Sequence, residues 1–137
     1  MSKKVSRALA SGMVISLVLT TALSSTQVRA AAGQVTRTSG SDRYATAAQV
    51  ATTNWSTGAT DVVLVSGEGY ADAVSASALA KKLNAPILLT TSGSLNYYAK
   101  SALETLKPTN VYVVGGNASV SQSIRAGLRS NYNLIEL

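Results

Sequence analysis

The chain has 137 residues, 46% of them hydrophobic and 13% charged, with 12 basic and 6 acidic side chains. Neither cysteine nor histidine occurs. That excludes a disulfide scaffold and removes both the commonest general base and the commonest transition-metal ligand. In chain order, residues 1–32 come first, with the layout of a secretory signal peptide. Lys3, Lys4 and Arg7 give a positive start, Ala8 to Leu23 carries no charge, and Ser24 to Arg29 leads into Ala30-Ala31-Ala32. Small residues at the first and third positions before the cut favour cleavage after Ala32 or after Ala30. A membrane anchor is the competing reading, but the run is shorter than the ~20 residues a bilayer needs. Ser11, Gly12, Ser16, Thr20 and Thr21 dilute it further. No membrane partner is therefore expected after cleavage. Lys3, Lys4, Arg7 and Arg29 precede Ala32, so the remainder carries eight basic residues against six acidic ones. This small excess argues against nucleic acid and is compatible with an anionic polymer.

About 105 residues remain past Ala32, enough for one domain with one core. Four short apolar or β-rich runs follow: Val62 to Val65, Pro86 to Leu89, Val111 to Val114 and Asn133 to Leu137. The first three are continuous apolar stretches, as strands of a parallel sheet covered on both faces require. Val35 to Thr38 can add a short leading strand. Helical spacing precedes the first run at Tyr44, Ala47, Ala48 and Ala51, and returns at Ala73, Ala76, Ala80 and Leu83. It recurs at Leu95, Tyr98, Ala99, Ala102 and Leu106, and at Val120, Ile124, Gly127 and Leu128. Ser41 or Asp42, Ser94 and Ser121 are placed to cap three of these helices. Strand alternating with helix predicts an α/β fold of consecutive right-handed βαβ units. The helix over Asp72 to Ala80 is mostly alanine and serine, which buries little area, so the unit is expected to need a neighbour.

Ligands of open parallel sheets bind beyond the carboxyl ends of the strands. Those ends carry Ser66-Gly67-Glu68-Gly69, Thr90-Thr91-Ser92-Gly93 and Gly115-Gly116-Asn117, which offer hydroxyls and amides suited to a phosphate or sugar. Glycine and serine are also what tight strand-to-helix turns demand. No spaced three-glycine fingerprint and no glycine-lysine-serine loop occurs, so no cofactor is expected. Without histidine a hydrolase triad has no ordinary base. Glu68 and Asp72 could pair as acid and base, but a helix first turn explains Asp72 and solvation explains Glu68. Catalytic, metal and cofactor residues are accordingly none. The most distinctive stretch is Arg37 to Ala47, where Arg37 and Arg43 flank a turn holding Asp42. It reads equally as a capping turn and as a clamp for an anion.

Arg37-x-Ser39-Gly40-x-Asp42-Arg43-Tyr44-x-Thr46-Ala47 resembles the opening of the type 2 cell-wall-binding repeat. The later motifs follow in order: Val62 to Gly67 with Ala71-Asp72-Ala73, then Leu79-Ala80, Ala85 to Thr90, and Val111 to Gly116. The resemblance covers about Arg37 to Leu128. It implies a small three-layer Rossmann-like unit with a short parallel sheet of three to four strands and flanking helices. It also implies tandem copies around a pseudo-threefold axis, and non-covalent attachment to the Gram-positive wall through anionic, teichoic-acid-like polymers. Pro86-Ile87-Leu88-Leu89 matches a motif the family associates with wall attachment. Burial suggests that this motif shapes the fold and presents Thr90. Only one copy is visible, residues 33–137, and the run ending at Leu137 reads as the strand leading into a second, as in a truncated longer protein.

The expectation is an exported, non-catalytic module at the cell surface, with Arg37, Arg43, Ser66, Lys81 and Thr90 as polymer-binding residues. Cations would pair with phosphates and hydroxyls with polymer oxygens. Its partners would be the wall polymer and other copies of the repeat, in tandem or as an oligomer. Two other readings stand beside it: a fragment or subunit of a wall hydrolase, such as an N-acetylmuramoyl-L-alanine amidase or its modifier, and a structural surface-layer component.

Overall fold

The computed structural model describes residues 37–137. The expected signal peptide and the residues Val35 and Thr36 of the leading strand lie outside them. Arg37 and Thr38 belong to no strand. The elements, in order, are α1 (Arg43–Asn54), β1 (Asp61–Ser66), α2 (Ala71–Leu83), β2 (Ile87–Thr90), α3 (Tyr97–Leu106), β3 (Asn110–Val114), α4 (Gln122–Arg129) and β4 (Asn133–Glu136).

The strands form one parallel sheet in the order β2-β1-β3-β4. The chain steps from β1 outward to β2, then back across β1 to β3, then on to β4. Right-handed crossovers send the helix of the first step to one face and those of the return steps to the other. The helices obey this: α2 lies on one face, and α3 and α4 lie on the other together with α1. The run expected to lead into a second copy is therefore also the edge strand of this sheet, hydrogen-bonded along β3.

Side chains alternate between faces along each strand, so each apolar run feeds two cores. Val62, Leu64, Leu88, Val111 and Val113 pack against Leu103, Leu106 and Ile124 on the three-helix face. Val63 and Val65 pack against Ala76, Ala80 and Ala85 on the other. At about 1.5–3 kcal/mol per buried valine or leucine, the three-helix face carries most of the stabilisation. The α2 face is thinner. Its small side chains sit close over β1 and leave Ile87, Leu89, Tyr112 and Val114 half covered.

Helix starts follow local chemistry. Asp42 caps α1, its side chain accepting from the Ala45 amide at 2.8 Å. The cap of α3 is Asn96, which accepts from the Tyr98 amide at 2.9 Å. Ser94, expected there, is drawn into the preceding turn, where its carbonyl accepts from both Thr90 and Thr91 hydroxyls. Ser121 holds the cap position of α4 with extended backbone, but its hydroxyl pairs with that of Ser123.

Candidate functional site

The carboxyl ends of β1, β2 and β3 lie along one edge, and their loops are stitched into a continuous rim. The Gly67 amide donates to the Thr90 carbonyl at 2.8 Å, and the Ser121 amide donates to the Ser92 carbonyl at 2.8 Å. The Glu68 carboxylate accepts from the Ser92 amide at 3.2 Å, so it occupies a donor that an anion would otherwise take. The reversal of direction between β1 and β3 puts the topological switch point between Gly67 and Gly115. There the Asp72 carboxylate closes against Gly115. A Cβ built on that glycine would stand 2.5 Å from Asp72 Oδ2, and its φ of +110° also favours glycine. The crevice thus presents negative charge and little room.

The five residues expected to bind polymer do not form one cluster. Arg43 is on the rim, and its Nη1 donates to the Gly67 carbonyl at 2.7 Å, clamping the start of α1 to the β1–α2 loop. Arg37 is exposed where the described chain begins. Ser66 is 4% exposed and its hydroxyl accepts from the Glu68 amide. Thr90 is fully buried, and its hydroxyl donates to the Ser94 carbonyl and accepts from the Asn96 amide. Both hydroxyls are thus used inside the rim, where they set the shape of its loops. Lys81 is exposed in the last turn of α2. That turn delivers the chain to the start of β2, so Lys81 lies at the opposite edge of the sheet from Arg43.

A residue no spacing marked, Arg125, underpins the rim from below. It is 4% exposed. Its guanidinium donates to the Val120 and Gly115 carbonyls and lies 3.3 Å from the Glu136 carboxylate, which also accepts from Arg129. It therefore ties α4, the end of β3 and β4 together.

A second concavity, of about 850 Å³, opens between α3 and α4 on the three-helix face. It starts at the rim near Gly93 and Ser94 and follows α3 to Pro108 and Tyr132. Its floor is apolar, made by Leu103, Ile124 and Leu128. Lys100, Glu104 and Lys107 stand on one wall, with Gly127 and Asn131 on the other. Burial raises the Tyr132 phenol above its ordinary pKa, with a smaller contribution from the Glu104 charge.

Residues 37–125 match the family described as Cell wall binding domain 2. The chain belongs to that family. As a cell wall binding domain 2 module, it is a wall-associated binding unit. It is 43% identical over 96 residues to the N-acetylmuramoyl-L-alanine amidase LytC of Bacillus subtilis, a match covering 70% of this chain and 19% of that protein. It is 34% identical over 94 residues to the amidase enhancer of the same organism, covering 69% of this chain and 13% of that protein. The module therefore spans less than a fifth of either relative's length. Among solved structures it resembles Cwp6 from Clostridium difficile, with a TM-score of 0.68, 30% identity, and coverage of 80% of this chain and 19% of that one. The fold is shared with Cwp8 from the same organism at a TM-score of 0.60, with 24% identity over 73% of this chain and 18% of that one.

Proposed function

We propose that this cell wall binding domain 2 module attaches its parent protein to the cell wall by ion pairing with an anionic wall polymer of teichoic-acid type, after export. One observation carries the reading. Among the described residues the ion-paired cations are Arg125 and Arg129, both held by Glu136. Arg37, Arg43, Lys81, Lys82, Lys100 and Lys107 have no carboxylate partner there. Such a spread of unspent positive charge suits a long polyanion touched at several points better than one small ligand. Each contact is weak, so attachment grows through repetition along the polymer and across tandem copies. Arg37 and Arg43 act at the rim, Lys81 acts at the far edge, and Ser66 and Thr90 hold the loops that present the arginines.

The module binds without reacting: Glu68 is turned to a backbone amide and Asp72 to Gly115. The resemblance to LytC and the amidase enhancer supports a second reading, that the parent protein works on the wall through segments other than this one.

The test is sedimentation of the full chain with bacterial walls, before and after mild acid stripping of their anionic polymers. Pull-down that fades with rising salt and vanishes on stripped walls is expected. Equal binding to stripped walls would overturn the polymer as partner.

A further inference from the structure

Local backbone preference is contradicted at two positions that line the α3–α4 groove. Gly127 lies inside α4 at an exposed position. A helix interior favours alanine over glycine, and a glycine there usually answers to a close neighbour. Gly127 has none: a Cβ would meet no atom within 4 Å. The opposite holds at Lys107, the C-cap of α3, where φ is 48° and the backbone is left-handed. That is where helices favour glycine or asparagine, as at Asn84, the C-cap of α2. A lysine stands there instead, lining the groove together with Lys100, two turns earlier on the same wall. Departures from local preference that packing does not explain mark functional positions.

Together the two departures describe an occupant. The missing side chain at Gly127 leaves room against α4, the floor of Leu103, Ile124 and Leu128 offers apolar contact, and Asn131 offers a polar edge. Two lysines face one carboxylate, Glu104, and neither is ion-paired among the described residues. The concavity falls within the size range of small-ligand sites, roughly 300–1,000 Å³, and follows α3, ten residues or about 15 Å long.

We infer that the α3–α4 groove seats a segment of the anionic wall polymer, with sugar or polyol carbons on the apolar floor and phosphates at Lys100 and Lys107. This rests on the polymer-binding reading above and gives it a place outside the switch-point crevice, which Asp72 closes.

The test uses the full chain in three variants: K100Q/K107Q, which removes the charge; G127L, which fills the groove from open space; and K107G, which relieves the left-handed strain. Each is melted and sedimented with native and polymer-stripped walls. The expected result is a Tm equal to or above wild type for G127L and K107G. Wall binding should weaken about tenfold for G127L and K100Q/K107Q, a loss of ~1.4 kcal/mol. G127L that stays folded and binds native walls as wild type does would overturn the groove while leaving polymer binding intact. Failure of the wild-type chain to bind native walls would overturn both. Loss of self-association in G127L, with wall binding unchanged, would assign the groove to a second copy of the chain and overturn the polymer as its occupant.

Discussion

Arg125 is a cation placed where burial is tolerable because its donors are all paired, chiefly with backbone carbonyls. Its contacts with the Val120 and Gly115 carbonyls and with Glu136 supply that pairing, and no buried side-chain nitrogen or oxygen among the described residues lacks a partner. Arg125→Ala strands two carbonyls and leaves a cavity, so a loss of about 3–5 kcal/mol is expected in urea denaturation. Glu136→Gln should cost under about 1 kcal/mol, because that carboxylate is 38% exposed and solvent already screens it. Equal losses would mean that the ion pair, and not the bonds to carbonyls, gives Arg125 its worth. Tyr132 offers a titration. Its folded pKa is raised above the ordinary 10.0, so its contribution to stability is complete below that value and is lost as pH rises through the folded pKa. The phenolate difference spectrum of wild type minus Tyr132→Phe should have its midpoint above 10.0; a midpoint at or below it would refute the burial cause. Neither residue stands out in the sequence. Arg125 looks like any polar position on a helix, and its partners lie on other elements. Thr90 and Ser66 were recognised as hydroxyls at strand ends, but no spacing could tell that both face inward.

The sheet and helices themselves could be read from periodicity. Continuous apolar runs can be nothing but two-faced strands here, since each is followed within a short turn by helical spacing. The cap of α1 was open to within one residue, Ser41 or Asp42, and the bond to the Ala45 amide selects Asp42. That of α3 was not: Ser94 and Asn96 are both capping residues, and Thr90 and Thr91 decide between them by taking the Ser94 carbonyl. Asp42→Ala removes the bond to the Ala45 amide and should cost about 1 kcal/mol, whereas Asp42→Asn, which keeps an acceptor, should be near neutral. Urea midpoints of the two variants check this, and an equal loss in both would point to the charge instead. The site resists the same reading. Glycine loops at strand ends could be listed from the sequence, but their closure by Asp72 depends on how α2 leaves β1. The groove exists because α3 packs beside α1 and leaves a gap before α4, a consequence of long-range packing. Gly127→Ala should raise stability by roughly 0.5–1 kcal/mol, since the new methyl meets only open space. A decrease would show that the groove wall cannot take even one carbon.

At the scale of the folded unit, residues 37–137, the two sheet faces are unequal, and the inequality has a consequence. Three helices close one face; α2 alone covers the other, with Val74 65% exposed and Tyr70 84% exposed at its start, and with Leu89 and Val114 of the sheet only half covered. An alanine- and serine-rich helix buries too little to close a four-stranded sheet, which agrees with the proposal that copies of the repeat pack side by side. The polymer groove and this face lie on opposite sides of the sheet, so association and wall binding should separate by mutation. Val74→Asp replaces an exposed apolar side chain and should leave the stability of the isolated unit within about 0.5 kcal/mol of wild type. In sedimentation equilibrium the same variant should lose any concentration-dependent association the wild type shows, because a carboxylate buried against a neighbour's apolar surface is costly to desolvate. If association persists in Val74→Asp, the neighbour docks elsewhere, and the thin face is simply the tolerated cost of a small helix.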